Sequence, residues 1–569
     1  MKVIIVGGVA GGASCAARLR RLDERATILL LERGPYVSYA NCGLPYHVGG
    51  VIEQEASLLV ANERVFREQF NIDCRTGCEV VGVNAEEKTV QLRDVASGTV
   101  TTEGYDKLVL SPGAVSIRPT LPGIDLPGIF QVRTVPDARE IRAWLERGTS
   151  FLAGMERYSG FQTVRPRIRA VVVGGGFIGL EMAENLRGRN VDVTVLEMAD
   201  QVLAALDPEY GHLVEDFLGL HSVDLVLRDG VAGFAEGPDE SLVVTTVSGR
   251  AFPADLVILA LGVRPDTTLA VSAGIAIGER GGIRVDEQMR TTDPDIFAVG
   301  DAIEVRDAVT DEWTVMALAG NANRQGRIAA EVITGRDSSF RGAQGTAIVG
   351  LFGSAVAWTG VNEKTLQRRG DADYDKVYVF PNSHAGYYPG AKPIAMKLLF
   401  RKSDGRLLGA QAAGEDGVDK RISDIALAIQ LNATVYDLEE AELCYSPPFG
   451  SAKDAVNFAG MVAADVLRGD MPISHWGGPD TAFLLDVREK GELAVESVPG
   501  AVNIPLGQLR SRLAELPVNA EIHVVCRSGQ RAYSATRILL QNGFTAAVRS
   551  GGMLSRAIIE RPRVSRDTD

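Results

Sequence analysis

The sequence predicts an α/β fold of several parallel-sheet units strung along 569 residues. Three observations predict it. A strand–glycine turn–helix–strand–acid pattern occurs twice, at residues 2–32 and 170–197. A shorter strand–loop–helix pattern occupies the last stretch, 475–569. Hydrophobic residues make up 46% and charged residues 23%, which excludes global disorder. At ~150 residues per domain the length suits three to five domains. Lys plus Arg is 59 against 73 Asp plus Glu, a net charge of −14, so the chain is not a general polyanion binder and no nucleic-acid partner is expected. Any phosphate it binds must meet local basic spots and helix N-termini. No apolar run reaches ~18 residues, so no membrane span is expected. The opening Met1–Val6 is a short apolar run entering glycines, which reads as a buried strand and not a leader. A cytoplasmic setting follows. Six cysteines are too few for a disulfide scaffold, and each is judged as core or chemistry.

The first unit starts with strand Lys2–Val6 and the turn Gly7-Gly8-Val9-Ala10-Gly11-Gly12. A helix to about Leu22, a strand Ile28–Leu31 and the acid Glu32 follow. The second has strand Ala170–Val173, turn Gly174-Gly175-Gly176-Phe177-Ile178-Gly179, a helix to about Arg189, strand Asp192–Leu196 and Glu197. Glycines let backbone N–H groups approach a pyrophosphate at a helix N-terminus. The acid accepts hydrogen bonds from ribose hydroxyls. Two copies, each with an acid about twenty residues on, predict two dinucleotide sites. Gly7, Gly11, Gly12 and Glu32 serve the first; Gly174, Gly176, Gly179 and Glu197 serve the second. The first copy departs from the pattern at Val9. The run Thr291–Asp301 ends a short apolar strand in Gly300-Asp301. It resembles the second FAD fingerprint of two-dinucleotide flavoproteins, whose Asp holds the ribityl chain. Leu110–Ala114, with Gly113, and Leu261–Pro265 resemble their domain-crossing turns. The first site is thus expected to take FAD and the second a nicotinamide dinucleotide. Glu197, with no basic residue in Met198-Ala199-Asp200, favours NADH over NADPH, because a carboxylate repels a 2′-phosphate.

Ser38-Tyr39-Ala40-Asn41-Cys42-Gly43-Leu44-Pro45-Tyr46 follows the first unit. Flavin disulfide reductases place Cys-x4-Cys here; in this chain the last position is His47. A lone cysteine can still form a mixed disulfide with a substrate thiol. If it opens a helix, the dipole would lower its pKa. The pattern resembles the single-cysteine branch of the pyridine nucleotide-disulfide oxidoreductases: CoA-disulfide reductases, CoA-persulfide reductases, NADH oxidases and peroxidases. The resemblance covers about residues 1–460. The oxidases and peroxidases carry a His in the first turn; Ala10 stands here, so thiol chemistry is the stronger expectation.

Ser14, Arg18, Arg21 and Arg25 fall on one helix face, where arginines could meet phosphates or simply be solvated. The resemblance assigns that face, with Ser38 and Asn41, to CoA. His384–Gly390 and Tyr445–Lys453 resemble the branch's paired tyrosine motifs. By position they imply Tyr388 and Tyr445 as catalytic groups reaching the partner subunit's cysteine, with Tyr387 as alternative, and His384 and Lys453 as CoA contacts. An active site completed across a homodimer is implied.

Leu485–Glu489, Gly500–Pro505, Gly551-Gly552-Met553 and the loop Cys526-Arg527-Ser528-Gly529-Gln530-Arg531 resemble a rhodanese domain throughout. Consecutive N–H groups with Arg527, Gly529 and Arg531 would form an anion nest for a Cys526 thiolate and its persulfide. Cys74 and Cys78 lack further ligands nearby, so no metal site is expected, and with Cys15 and Cys444 they read as core residues.

The expected architecture is two Rossmann-like domains, an α+β dimerisation domain and an α/β rhodanese domain. The expected boundaries are 1–112 with 255–335 for FAD, 113–254 for NAD, 336–462 for dimerisation and 475–569 for rhodanese, with Gly469–Pro472 as linker. Phe151–Arg167 reads as an exposed insertion. The expected function is FAD- and CoA-dependent NADH:persulfide or polysulfide reduction, with Cys42 attacking CoA persulfide and Cys526 delivering sulfane sulfur. The alternatives are a CoA-disulfide reductase that maintains the CoA thiol pool, and a low-turnover flavin-linked sulfur carrier or sensor.

Overall fold

The computed structural model describes residues 1–159, 167–238, 241–478 and 481–561. It divides into two compact units, Met1–Val202 with Ser222–Gly345, and Leu203–His221 with Thr346–Asp569.

The first unit holds two parallel sheets built alike. In one, Lys2–Val6 lies between Thr27–Leu31 and Lys107–Leu110, with Asp73–Arg75 and Ile296–Ala298 at the edges. In the other, Arg169–Val173 lies between Asp192–Leu196 and Leu256–Leu259, with Val223–Val226 and Ile129–Phe130 outermost. The central strands are continuous apolar runs because both sheet faces are covered. Val3, Ile4 and Ile5 are fully buried. Helix Ala10–Leu22 packs along helix Ala319–Ile333, and Gly326 permits it: a Cβ there would lie 2.2 Å from the Gly11 carbonyl oxygen. Phe151–Ser159 continues the helix that begins at Val135, and 160–166 lie outside the described residues.

The second unit holds an antiparallel sheet in the order Ala347–Leu351, Ser354–Gly360, Leu407–Gly414, Ile394–Arg401, Tyr374–Val379. Its other sheet is parallel and small, ordered Ile473–Ser474, Ala546–Arg549, Ile522–Val525, Phe483–Asp486, Val502–Asn503. Met471, inside the expected linker, is buried in the core beneath that small sheet. Leu203–His221 was expected within the NAD-binding segment but clusters with this unit. Buried ion pairs tie that segment to the unit's antiparallel sheet: the fully buried Lys397 ammonium lies 2.9 Å from Asp207 and 2.7 Å from Glu209, and 2.8 Å from Glu363. These three carboxylates could group around a metal, yet the cation they share is this lysine. Among the described residues no helix is long and apolar enough to cross a membrane.

Candidate functional site

The two glycine turns have the same internal geometry. Gly7 and Gly174 have φ of 94° and 113°, and a Cβ would lie 2.0 Å from the Ser111 carbonyl oxygen or 2.2 Å from that of Ala260. A Cβ on Gly12 or Gly179 would lie 1.9 Å from the carbonyl oxygen of Gly7 or Gly174. The acids close each turn. Glu32 accepts the N–H groups of Gly8 and Gly34, both at 2.8 Å, and Glu197 accepts those of Gly175 and Ala199, both at 2.7 Å. Neither following helix has a side-chain N-cap or an acid in its first turn. Their first N–H groups therefore suit an anion, and both turns fit a dinucleotide pyrophosphate. Val9 and Gly176 precede the helices with φ of −97° and −82°, so this position needs no glycine.

Gly300-Asp301 forms a short 3-10 turn after strand Ile296–Ala298, and the Gly300 N–H donates to Gln325 Oε1 at 2.8 Å. Burial raises the Asp301 pKa, while Arg133, 3.6 Å away, opposes the rise. Gly113 brings its backbone to the same arginine, 3.3 Å from where a Cβ would stand.

Cys42 sits in a 3-10 turn, Asn41–Gly43, directly before helix Leu44–Gly49. It is exposed, and all six cysteines are free. Its thiol pKa is raised, first by desolvation, then by Glu181 and Asp301; its own backbone and Arg133 oppose the rise. The expected lowering is not seen, because desolvation first, and the Glu181 and Asp301 carboxylates after it, outweigh the weak dipole of a six-residue helix. Glu181 has its own pKa raised to about 7 by burial and by Glu184. His47, at the missing-cysteine position, is buried, with Nδ1 2.7 Å from the Ile52 carbonyl oxygen. Asn41 donates to the Arg133 carbonyl.

Ser14, Arg18, Arg21 and Ser38 line one cavity of about 370 Å³. Arg25 and Asn41 are not among its lining residues. Its remaining wall escaped sequence reasoning: Phe66 and Phe70 from helix Glu63–Phe70, and Asn323 and Arg327 from helix Ala319–Ile333. No motif marks them; packing between distant helices puts them there. Ser14 donates to Asn323 at 2.6 Å, and Arg18 pairs with Glu331 at 2.5 Å.

In the second unit Tyr445 meets Tyr387, hydroxyl to hydroxyl at 2.7 Å. Tyr388 stands edge-on to the ring of buried His384, centroids 5.6 Å apart. Lys453 is exposed. Cys526 ends strand Ile522–Val525, and its Sγ accepts the N–H groups of Gly529 at 3.2 Å and Ala532 at 3.3 Å. Arg527 is exposed beside it. Arg531 is engaged by Glu492 at 2.6 and 2.7 Å.

Comparison with known proteins agrees with this geometry. The family model for pyridine nucleotide-disulphide oxidoreductases matches residues 1–326, that for their dimerisation domain 346–456, and that for rhodanese-like domains 474–555. A coenzyme A disulfide reductase of Staphylococcus epidermidis is 33% identical over 463 residues, which are 81% of this chain and 99% of the relative. The crystal structure of reduced Bacillus anthracis CoADR-RHD is 45% identical, with a TM-score of 0.92 over 98% of both chains. An NAD-dependent persulfide reductase from A. fulgidus is 36% identical, with a TM-score of 0.87 over 97% of this chain and 99% of its own. With two dinucleotide turns, a solitary Cys42 and a cradled Cys526, the chain belongs to the pyridine nucleotide-disulphide oxidoreductase family and carries a C-terminal rhodanese-like domain.

Proposed function

We propose that this protein is an NADH-dependent CoA-persulfide reductase fed by its rhodanese domain. The observation that carries the reading is the solitary, exposed Cys42: with no cysteine partner in its motif, it needs a thiol from solution as its exchange partner. CoA suits that role, since the cavity joins Arg18, Arg21 and Arg327 for phosphates to an aromatic wall. His384 and Lys453 are proposed as further CoA contacts.

Gly7, Gly11, Gly12, Glu32, Gly113, Gly300 and Asp301 would hold FAD, which when bound would supply the two-electron link to a nicotinamide dinucleotide at the second turn. The Cys42 thiolate attacks the inner sulfur of CoA–S–SH; that S–S bond breaks and HS⁻ leaves. A Cys42–S–S–CoA bond forms, and two electrons with one proton return the Cys42 thiolate and free CoA thiol. At the other end, the Cys526 thiolate attacks the terminal sulfur of a polysulfide; that S–S bond breaks, a polysulfide one sulfur shorter leaves, and a Cys526 persulfide forms. A CoA thiolate attacks the outer sulfur of that persulfide, making CoA–S–S⁻ and restoring the Cys526 thiolate. Gly529 and Ala532 N–H groups already face that sulfur. Tyr445 and its hydroxyl partner Tyr387 are proposed to complete the partner subunit's site in a homodimer, with Tyr388 against His384. Six free cysteines suit a reducing cytoplasm.

CoA-disulfide reduction is the second reading, favoured by the 33% identical relative. The same thiolate attack on CoA–S–S–CoA gives the same mixed disulfide. Comparing kcat/KM for CoA persulfide and CoA disulfide separates the two. Mass spectrometry of the denatured protein should find CoA on Cys42, and its absence after exposure to either substrate would sink both.

A further inference from the structure

We propose that Glu331 is the positioning residue of a two-arginine phosphate clamp. It holds Arg18 and Arg327, from two different helices, together at the wall of the cavity that takes the nucleotide end of CoA. This deepens the reading of that cavity as a CoA site and rests on it.

The cavity wall is basic on an acidic chain. Arg18, Arg21 and Arg327 line it and no carboxylate does, although the net charge is −14. Arg18 comes from helix Ala10–Leu22 and Arg327 from helix Ala319–Ile333. Two guanidiniums brought together without a counter-charge repel. Glu331, one turn after Arg327, supplies that charge from behind the wall, since it is not a lining residue. Its Oε1 accepts Nε and Nη2 of Arg18 at 3.0 and 2.5 Å, and the same oxygen lies 3.2 Å from Nε of Arg327. One carboxylate oxygen thus fixes both side chains. The Ser338 hydroxyl hydrogen-bonds the same carboxylate. The side chains of Arg18 and Glu331 are 18% and 14% exposed, so solvent screens this pair less than a surface one.

Arg18 commits Nε and Nη2, which leaves Nη1; Arg327 commits Nε, which leaves both terminal nitrogens. Such N–H groups are charge-assisted donors that fork onto phosphate oxygens. A neighbouring rung joins the same two helices one turn before each arginine, where Ser14 Oγ donates to Asn323 Oδ1 at 2.6 Å. Phe66 and Phe70, ring centroids 6.1 Å apart, add a flat apolar surface for a base. The ligand class that meets all of these is a phosphorylated adenosine.

The experiment is calorimetric titration of the full-length holoenzyme with adenosine 3′,5′-bisphosphate, with NAD⁺ present to occupy the second turn. This probe carries base and phosphates but no thiol. Glu331→Ala should raise its Kd about tenfold. Glu331→Gln keeps an acceptor oxygen for both arginines and should stay within about twofold of wild type. Once Arg18 and Arg327 are both alanine, Glu331→Ala should change nothing further. In turnover, Glu331→Ala should raise KM for CoA persulfide with kcat unchanged, and should leave both constants for pantetheine persulfide, which lacks the nucleotide. A Glu331 that merely braces the two helices would impair both substrates alike. That outcome, a Glu331→Ala Kd equal to wild type, or an equal loss in Glu331→Gln overturns the assignment. If Glu331→Ala fails to fold, Glu331→Asp takes its place: the shorter side chain withdraws the shared oxygen while keeping the charge. The same loss is expected there, and an unchanged Kd rejects the clamp. A wild-type chain that does not bind the probe rejects the clamp and the CoA site together. Binding that follows this pattern without turnover of any CoA substrate would end the persulfide reading alone.

Discussion

The two glycine turns share one architecture but not the same glycines. At Gly7 and Gly174, and again at Gly12 and Gly179, a side chain would strike a carbonyl oxygen of the turn or its neighbour strand. There the glycine is required by the backbone itself. Val9 stands opposite Gly176, and Gly11 opposite Ile178. A Cβ on Gly176 would meet nothing within 4 Å, so glycine is optional there. Gly11 is different again: a Cβ would lie 2.9 Å from Ser111 Oγ and 3.0 Å from Val299, beneath the helix that also walls the cavity. A fingerprint therefore mixes positions needed for the turn with positions needed for whatever packs upon it.

The sharpest way to break the comparison is alanine at the paired close contacts. Gly12→Ala should cost about 3 kcal/mol of stability or more and strip most bound flavin, seen as lost visible absorbance. Gly179→Ala should instead retain flavin and lose NADH-driven reduction, because its turn is the one proposed for the nicotinamide dinucleotide. Equal loss of flavin in both would end the division of labour. Next comes the acid. Glu197→Gln should reduce the NADH-to-NADPH preference in kcat/KM about tenfold by removing the charge that repels a 2′-phosphate. Glu32→Gln should leave that ratio alone while weakening flavin retention.

A smaller effect links the helix after the second turn to Cys42. Glu181 raises the Cys42 pKa, so deleting that charge should lower it. Glu181→Gln should move the alkylation midpoint of Cys42 down by about half a pH unit. In the native chain the thiolate gains as pH rises, and ionisation of Glu181 near pH 7 works against it. The smallest change belongs to the tolerant position. Val9→Gly and Gly176→Ala should each shift stability by no more than about 1 kcal/mol and leave both dinucleotide affinities intact, measured by thermal melting and titration.

Legibility followed distance along the chain. The strands at Lys2–Val6 and Asp192–Leu196 matched their sequence readings, and Arg169–Val173 agreed to within a residue, because apolar runs meeting glycine turns are local signals. Helix Gln530–Gln541 began two residues before the expected Ala532, since the cysteine loop leads directly into it. The direction of the Cys42 shift was misread, because the desolvation that chiefly raises it, and the Glu181 and Asp301 carboxylates that add to it, come from tertiary packing of segments far off in sequence.

By itself the sequence determined the two turns, their acids, the solitary cysteine and the rhodanese loop, since each is a contiguous stretch whose backbone chemistry needs those residue types in that order. Tertiary structure alone decided the rest. It set the Asn323 and Arg327 wall of the cavity, the choice of Tyr387 as hydroxyl partner to Tyr445, and the three carboxylates around Lys397. It also set the hold of Glu492 on Arg531. Those arrangements join side chains from remote segments, and Coulombic and packing energies depend on separation in space, which residue order does not record.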